Sequence, residues 1–534
     1  MSASFQERVD LSELPALPNG WVWGVPIDFC AAVASGSTPT AEKMTEGKGD
    51  VPFIKVYNLT HVGTLDFSVR PTFINKATHK GRQQRSVTLP GDVLINIVGP
   101  PLGKVSVVPD TFPEWNINQA IVLFRPKTGV SNRYLCYALL TDSVMKRVTR
   151  LAKATVGQFN IVVNMCRHLL PVPIAPTNEQ QRIVDELEEL LSDLDAGVEA
   201  LKRVQVKLGH YRAAVLKAAV EGALTAGWRE QHPDTEPASE LLKRILSERR
   251  RRWEEDQRAR FEAAGKQPPN GWQSKYKEPA APDTTNLPTL PPGWCWTTVE
   301  QCAALIQYGS SEKTLEEATG IPVLRMGNIR TDGSLDLTDL KYLPPQHPEF
   351  PDLLLKAGDL LFNRTNSAEL VGKTGIYRGV PSPASFASYL IRVRMLPEVE
   401  PILVAACING GMGRQWIREV VNQTVGQANV NGTKLAAFAF PLPPSKEQPW
   451  VIESIEDQLS VIEHTEADLE ARLRSSQALR QSILRHAFTG QLVPQDPNDE
   501  PASELLKRIA TERESRAEVE TKKPRSRARA ATKA

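Results

Sequence analysis

Two long stretches of the chain carry apolar residues at heptad spacing. Residues 178–221 contain no proline, and eight of ten seam positions between Val184 and Val215 are apolar. Between Ile452 and Ile483, seven of ten are apolar. A narrow apolar seam requires a partner helix, so we predict two long antiparallel helices that pair as a coiled coil. The seam residues that we single out are Val184, Leu187, Leu191, Leu194, Leu201, Ile452, Ile455, Leu459, Ile462 and Leu469.

Several segments occur twice in the chain, in the same order. Glu236–Ile245 returns without change as Glu500–Ile509. Thr155–Ile161 returns with two changes as Thr424–Val430. A ten-residue identity does not arise by chance, so we infer that a unit of about half the chain has been duplicated.

The rest of the chain alternates short apolar runs with Gly, Pro and Asn, a pattern typical of strands and turns. We therefore predict an α+β fold. In it, two mixed α/β domains are separated by the two long antiparallel coiled-coil helices, in a pseudo-two-fold tandem repeat. The predicted parts are a first globular domain (14–175), a central helical region (176–265), a proline-rich linker (266–286), a second globular domain (287–440), a C-terminal coiled-coil helix (441–494) and a short helix with a basic disordered tail (495–534).

Composition excludes several classes of protein. Of the 534 residues, 41% are hydrophobic and 24% are charged, which is typical of a folded chain. The six cysteines are scattered, so we expect neither a disulfide framework nor a metal site. No apolar run is long enough to cross a membrane, and the N-terminal residues lack an apolar signal core. We expect a cytoplasmic protein with no membrane partner.

The net charge of +2 hides an uneven distribution. Residues 51–130 hold nine basic and four acidic side chains, whereas helix 178–221 holds six basic and nine acidic ones. The second domain is closer to balance, with twelve basic and ten acidic side chains in 321–434. A basic globular surface suits contacts with the phosphates of nucleic acid.

Motifs for catalysis are weak or absent from the sequence. Ser367–Thr374 resembles a phosphate-binding loop but lacks its first glycine, and no nucleophile elbow or zinc-protease motif occurs. The sequence therefore favours binding over catalysis. Two alternatives remain open: an enzyme within 321–434 that uses Lys373, and a coiled-coil scaffold that binds only protein.

Two polar loops are candidates for reading bases. Asn363–Lys373 follows an apolar strand and carries arginine, asparagine and lysine, and Lys76–Arg85 is a comparable basic run in the first domain. Arg and Lys pair with guanine, and Asn and Gln pair with adenine. The alternative is that these are solvated loops without a partner.

An ordered set of segments lies around the long helices. They are Leu17–Trp21, Leu290–Trp294, Gly358–Asn366, Val425–Lys434 and Pro441–Gln448. In these segments the chain resembles the DNA-specificity subunit of type I restriction–modification enzymes.

The resemblance implies that 14–175 and 287–440 are target-recognition domains that each read half of a bipartite asymmetric site in double-stranded DNA. It implies that this subunit has no catalytic activity and binds no cofactor. Two modification (methyltransferase) subunits would supply S-adenosylmethionine. Restriction and translocase subunits would supply ATP and Mg.

We assign two sets of site residues to this framework. The residues expected to contact DNA are Lys76, Lys80, Arg82, Arg85 and Lys104 in the first domain, and Arg364, Asn366, Ser367 and Lys373 in the second. The residues expected at the junction of domain and helix are Gln158, Asn160, Gln427 and Asn429. The first domain departs from the family pattern in Asn96–Lys104 and in Val162–Asn164, which stands where the second domain has Asn431–Thr433, so its half-site should differ.

Overall fold

The computed structural model describes residues 9–81, 83–99, 101–144, 146, 153–155, 158–424 and 427–522. The chain divides into two units. Unit 1 comprises Met1–Leu201 and Ala471–Ala534, and unit 2 comprises Lys202–Glu470. Unit 1 is therefore assembled from the two ends of the chain, whereas unit 2 is one continuous segment.

Four helices are longer than the rest. They are α1 (Thr177–Val220), α2 (Ala238–Ala263), α3 (Gln448–Phe488) and α4 (Ala502–Lys522). The helices α1 and α3 are the two predicted from the heptad pattern, and their 44 and 41 residues confirm that prediction. A glycine with positive φ follows each of them, Gly222 (69°) and Gly490 (71°), and this backbone conformation favours glycine at a helix end.

Unit 1 is a mixed helix and strand structure. Its strands are Val22–Gly24, Cys30–Ser35, Met44–Glu46, Val51–Ile54, Thr72–Ile74, Val87–Thr88, Val93–Asn96, Val105–Val107, Trp115–Ile117, Ile121–Pro126, Lys153–Thr155, Gln158–Asn160 and Val172–Ile174. Its shorter α-helices include Pro26–Phe29, Lys76–Lys80, Asn132–Leu139 and Val163–His168.

Unit 2 has the same mixed character. Its strands are Cys295–Thr298, Ala303–Tyr308, Ile321–Leu324, Lys341–Leu343, Leu360–Asn363, Thr365–Asn366, Thr374–Ile376, Ser385–Phe386, Leu390–Met395, Asn422–Thr424, Gln427–Asn429 and Ala439–Leu442. Its shorter α-helices include Ala226–Gln231, Val299–Cys302, Pro401–Asn409, Gly411–Val420 and Gly432–Ala436.

One antiparallel four-stranded sheet recurs in both units with the same strand order. In unit 1 the order is Cys30–Ser35, Ile121–Pro126, Val93–Asn96, Val105–Val107. In unit 2 the order is Ala303–Tyr308, Leu390–Met395, Leu360–Asn363, Thr374–Ile376. The second sheets differ: unit 1 has five strands there and unit 2 has three.

In unit 1 the N-terminal part of α1 packs against the C-terminal part of α3. Val184, Leu187 and Leu191 are buried in the same apolar cluster as Leu484 and Phe488. An ion pair between Arg480 and Asp195 lies at the edge of this contact. The two helix segments are therefore antiparallel here.

In unit 2 the C-terminal part of α1 packs against the N-terminal part of α3. Leu216 and Ala219 are buried in a cluster with Ile455, against which Ile452 and Leu459 also pack. This pairing is again antiparallel. Of the remaining seam positions, Ile462 and Leu469 are buried, and Leu194 and Leu201 are half-buried.

The repeated helices α2 and α4 occupy matching places in the two units. The N–H of Ala238 donates to the carbonyl oxygen of Gly293 at 2.7 Å, and the N–H of Ala502 donates to that of Gly20 at 2.8 Å. Leu241 and Ile245 of α2 are buried in the core of unit 2, and the corresponding leucine and isoleucine of α4 are buried in unit 1. The duplicated sequence therefore makes the same docking contact twice.

The proline-rich segment 266–286 packs against α2. Trp272 is 7% exposed, and its ring stacks on that of Trp253 with 5.8 Å between centroids. A proline-rich linker was predicted here, and these contacts place it against α2 within unit 2. None of the helices in the described part of the chain combines the length and the hydrophobicity that a bilayer crossing demands.

Candidate nucleic-acid interface

A loop follows the same sheet strand in each unit and is closed in the same way. In unit 2, the N–H of Asn363 donates to the carbonyl oxygen of Lys373 at 2.9 Å, which closes loop 364–372. In unit 1, the N–H of Asn96 donates to the carbonyl oxygen of Lys104 at 3.2 Å. Both loops thus start and end at neighbouring strands of a rigid sheet, the arrangement expected of a recognition loop.

Arg364 is the first residue of the unit 2 loop and is half-buried. Its guanidinium lies over the ring of Tyr308, 4.8 Å from the centroid, and donates to Oδ1 of Asn429 over a long 3.4 Å. Its Nε is buried without a hydrogen-bond acceptor. Arg364 therefore keeps unused donors.

Asn366 and Ser367 follow Arg364 on the same loop and are half-exposed. The Oδ1 atom of Asn366 accepts from the N–H of Ser367 at 2.9 Å. The carbonyl oxygen of Ser367 accepts from the N–H groups of Leu370 and Val371, at 3.1 and 2.9 Å. This turn fixes the backbone and leaves the Asn366 amide group and the Ser367 hydroxyl for further partners.

Lys373 does not lie on the surface with these residues. Its side chain is 6% exposed, and its ammonium donates to the backbone carbonyls of Ile329 and Met326. Burial, together with the nearby Arg414, lowers the pKa of Lys373. The prediction that Lys373 faces DNA is therefore wrong, because its ammonium donates to carbonyl oxygens inside the domain. The same contacts argue against a role for Lys373 in binding phosphate.

Asn429 and Gln427 lie beside the loop. Their strand, Gln427–Asn429, pairs with Thr365–Asn366. Asn429 Nδ2 donates to Thr365 Oγ1 at 2.9 Å. Strand pairing thus brings these two residues to the candidate interface, and their junction role stays a prediction. Gln158 and Asn160 pair in a hairpin of unit 1, but their side chains are outside the described part of the structure.

The basic run of unit 1 forms the short helix Lys76–Lys80 and the turn after it. Asn75 caps the helix, since its Oδ1 accepts from the N–H of Thr78 at 2.8 Å. Lys76, Lys80 and Arg85 are exposed, and none of the described carboxylates forms an ion pair with them. Arg82 lies outside the described residues.

A buried polar network holds this helix against the domain. His79 Nε2 donates to Glu114 Oε2 at 3.0 Å, and Asn116 Nδ2 donates to His79 Nδ1 at 2.8 Å. Ser86 Oγ donates to Asn116 Oδ1 at 2.7 Å. The buried polar side chain of the helix, His79, is thus fully hydrogen-bonded to the domain. The helix can therefore stay packed while its lysines face solvent.

Lys104 is the unit 1 counterpart of Lys373, but its side chain is only half-buried. Its N–H donates to Asn96 Oδ1 at 2.9 Å, and Asn96 Nδ2 donates to the carbonyl oxygen of Pro101 at 3.0 Å. Burial, with the positive charge of Lys104 second, lowers the pKa of His61. Lys104 thus remains near the surface at the end of its loop.

Sequence reasoning missed Tyr308, which ends the strand Ala303–Tyr308 and is 43% exposed. Its hydroxyl accepts from the N–H of Gly432 at 2.7 Å. A tyrosine that closes an apolar strand gives no sequence signal for a loop 56 residues further on. Only the pairing of strands brings it under Arg364.

Residues 26–203 match the family described as the type I restriction modification DNA specificity domain. The chain is 24% identical over 514 residues to the EcoKI specificity subunit of Escherichia coli (strain K12) and to the StySPI specificity subunit of Salmonella potsdam. Each alignment covers 93% of this chain and 96% of the relative.

A solved structure also resembles the chain. It comes from work on complex assembly and conformational transition of the type I R-M system, and it has a TM-score of 0.55 at 15% identity. The match covers 90% of this chain and 100% of that one, and it shows a shared fold. The comparisons confirm the resemblance to specificity subunits of type I restriction enzymes over nearly the whole chain.

Proposed function

We propose that this chain recognises a bipartite, asymmetric DNA sequence, one half with each globular domain, for a type I restriction–modification complex. One observation carries the proposal: a shared scaffold presents different side chains at the same place. Ile161 N–H donates to the carbonyl oxygen of Ile97 in unit 1, and Val430 N–H donates to that of Arg364 in unit 2, both at 2.9 Å. The backbone matches at this point while the loop side chain changes from isoleucine to arginine.

The surfaces support contacts with both phosphates and bases. The exposed Lys76, Lys80 and Arg85 suit phosphate contacts, which position a protein on the duplex without reading sequence. Arg364, Asn366 and Ser367 supply the donors and acceptors that read base edges. Unit 1 would thus contribute a positioning surface, and unit 2 would contribute a reading loop.

The long helices would set the distance between the half-sites. At 1.5 Å per residue, α1 is about 66 Å long. An α-helical pair is stiff, so it suits a spacer of fixed length between two readers, and paired readers fix half-site spacing by geometry. The tandem repeat would give the chain an approximate two-fold relation between its domains.

The proposal includes partners that carry the chemistry. Two modification subunits with S-adenosylmethionine would methylate the site, and restriction and translocase subunits with ATP and Mg would join them. The chain itself would bind no cofactor and perform no catalysis. The similarity to specificity subunits supports this division of roles.

The test uses the full-length chain with and without a co-expressed type I modification subunit. With that subunit and S-adenosylmethionine, we expect methylation of plasmid DNA at one bipartite sequence. With S-adenosylmethionine alone, the purified chain should leave the DNA unmodified. Methyl transfer by the pure chain would overturn the non-catalytic assignment, and a complex that selects no sequence from a randomised DNA pool would overturn the recognition role.

A further inference from the structure

The contact between Tyr308 and Arg364 singles out one arginine of unit 2. The guanidinium is stacked on the phenol ring, and its Nε is buried without an acceptor. Its described polar partner is Asn429, over 3.4 Å. No described carboxylate forms an ion pair with Arg364. A guanidinium has five N–H donors in a fixed fork, so most of its capacity is left for a partner outside the chain.

Other arginines of the same domain are neutralised by carboxylates. Arg325 pairs with Asp339 at 2.9 Å, and Arg330 pairs with Asp336 at 3.1 Å. The guanidinium of Arg394 forms two hydrogen bonds of 2.6 Å with Asp359. Arg364 differs because an aromatic ring, and not an acid, holds it in place.

The Tyr308 ring is itself fixed by Gly432. The hydroxyl of Tyr308 accepts from the Gly432 N–H at 2.7 Å. A Cβ atom at residue 432 would lie 3.0 Å from that hydroxyl oxygen and 3.4 Å from the ring. A side chain at this position would therefore crowd the ring, and glycine leaves it room.

Unit 1 lacks every member of this arrangement. Strand register and the matching backbone hydrogen bonds give the equivalent positions. The equivalents of Tyr308, Arg364 and Gly432 are Ser35, Ile97 and Val163. Ile97 is buried, and Val163 packs against the core of unit 1. The three residues of unit 2 are thus absent together from the other copy, as expected if they act as one group.

We propose that Arg364, laid flat on Tyr308, reads one guanine in the major groove, and that Tyr308 is its positioning residue. The inference rests on the proposed function and assigns this guanine to the half-site of unit 2. The two terminal nitrogens of arginine match O6 and N7 of guanine, the commonest specific contact to a base. Stacking on the ring restricts the side chain before DNA binds, so less rotamer freedom is lost in the complex.

The test is selection from a randomised DNA pool by the full-length chain in complex with a modification subunit. Wild type should select a guanine that the variants Arg364→Lys and Tyr308→Ala no longer prefer. Lysine keeps the charge but loses the fork. Discrimination at that position should fall roughly tenfold or more, while the other half-site and the affinity for unrelated DNA stay unchanged.

A double variant separates positioning from general stability. If Tyr308 acts through Arg364, Tyr308→Ala added to Arg364→Lys should cause no further loss of discrimination. Tyr308→Phe keeps the ring and should keep the guanine preference. Ser35→Ala, at the matching position of unit 1, is the control and should change no base preference.

The outcomes distinguish this inference from the function on which it rests. If wild type selects a bipartite site and Tyr308→Ala keeps every base preference, this inference fails and the proposed function stands. The inference also fails if the folded Tyr308→Phe variant loses the guanine preference, or if the losses of discrimination from the two substitutions add up. It fails too if Arg364→Lys lowers the affinity for all sequences equally, since that result marks a phosphate contact. If wild type selects no sequence, the proposed function fails.

Discussion

The indole Nε1 of Trp294 donates a hydrogen bond to the buried carboxylate of Glu447 at 2.8 Å. Unit 1 repeats the contact between Trp21 and Glu179 at 3.0 Å. The electrostatic surroundings differ, because Arg229 forms an ion pair of 2.5 Å with Glu447. Duplication has kept the hydrogen bond and changed the charge balance around it.

Glu447→Gln should destabilise unit 2, because it leaves Arg229 without its carboxylate. Breaking a buried ion pair from one side costs about 3–5 kcal/mol. Calorimetry of the full chain should show a clear fall in the Tm of one transition. An unchanged Tm would mean that solvent or another group replaces the lost carboxylate.

Glu179→Gln is the matched substitution in unit 1, and we expect the opposite sign. Burial raises the pKa of Glu179 and outweighs the opposing effects of the Trp21 hydrogen bond and of Arg182, which is paired with Asp499 at 2.7 Å. The ionised carboxylate therefore costs stability at pH values above its unfolded pKa, and this cost disappears as pH falls through the raised pKa. The variant should be at least as stable as wild type at pH 7, with an advantage that shrinks in acid. An advantage that grows in acid would contradict this.

Arg392→Leu should destabilise unit 2. Arg392 is 1% exposed and donates to the carbonyl oxygens of Leu354 and Asp352, at 2.7 and 2.8 Å. Leucine occupies the equivalent position in unit 1, Leu123, so the side chain suits the sheet. Two hydrogen bonds from the charged guanidinium would be lost, at about 2–4 kcal/mol in total. Denaturant unfolding measures this, and a loss below about 1 kcal/mol would mean that the 351–355 loop relaxes into solvent.

Replacing Lys76, Lys80 and Arg85 by alanine should weaken DNA binding equally for all sequences. Phosphate contacts release counterions, so each lost contact should reduce the slope of log affinity against log salt by about 1. The measurement is a titration of the complex at several salt concentrations. Lys277→Ala, an exposed lysine of segment 266–286, is the control. A variant that relaxes one base position at an unchanged salt slope would identify a base contact instead.

Shortening both long helices should move the half-sites without changing them. We predict this for the removal of seven residues from 184–215 together with the matching seven from 452–483, which preserves the heptad register. The helices lose about 10 Å, or roughly 3 base pairs of duplex. Mapping methylated sites in a host that carries the variant gives the new spacer. An unaltered spacer would show that the helices do not set the distance.

The long helices were predictable because their signal is local and periodic. Val184, Leu187 and Leu191 are buried as the heptad pattern requires. A repeat of seven residues is visible without any knowledge of distant contacts, and so is the identity of Glu236–Ile245 with Glu500–Ile509. The long helices and the duplication can therefore be recognised from the sequence alone.

The candidate site was less predictable because strand pairing between distant segments builds it. Asn429 reaches Arg364 across 65 residues, and Tyr308 lies under the same guanidinium. Lys373 stands in a polar run that reads as exposed, yet backbone carbonyls from another segment surround its ammonium. Hydrophobic pattern gives no information on such contacts, since the residues concerned are polar and partly buried.

The assembly of unit 1 from both ends of the chain has a consequence for its biosynthesis. Its closing helix, α4, is made after all of unit 2, whose residues are contiguous. At ribosomal rates of about 5–20 residues per second, α4 is synthesised on the order of tens of seconds after the first domain. Until then the surface on which α4 packs is exposed to solvent. During that interval the apolar surface that receives Leu505 and Ile509 is exposed to chaperones and to aggregation.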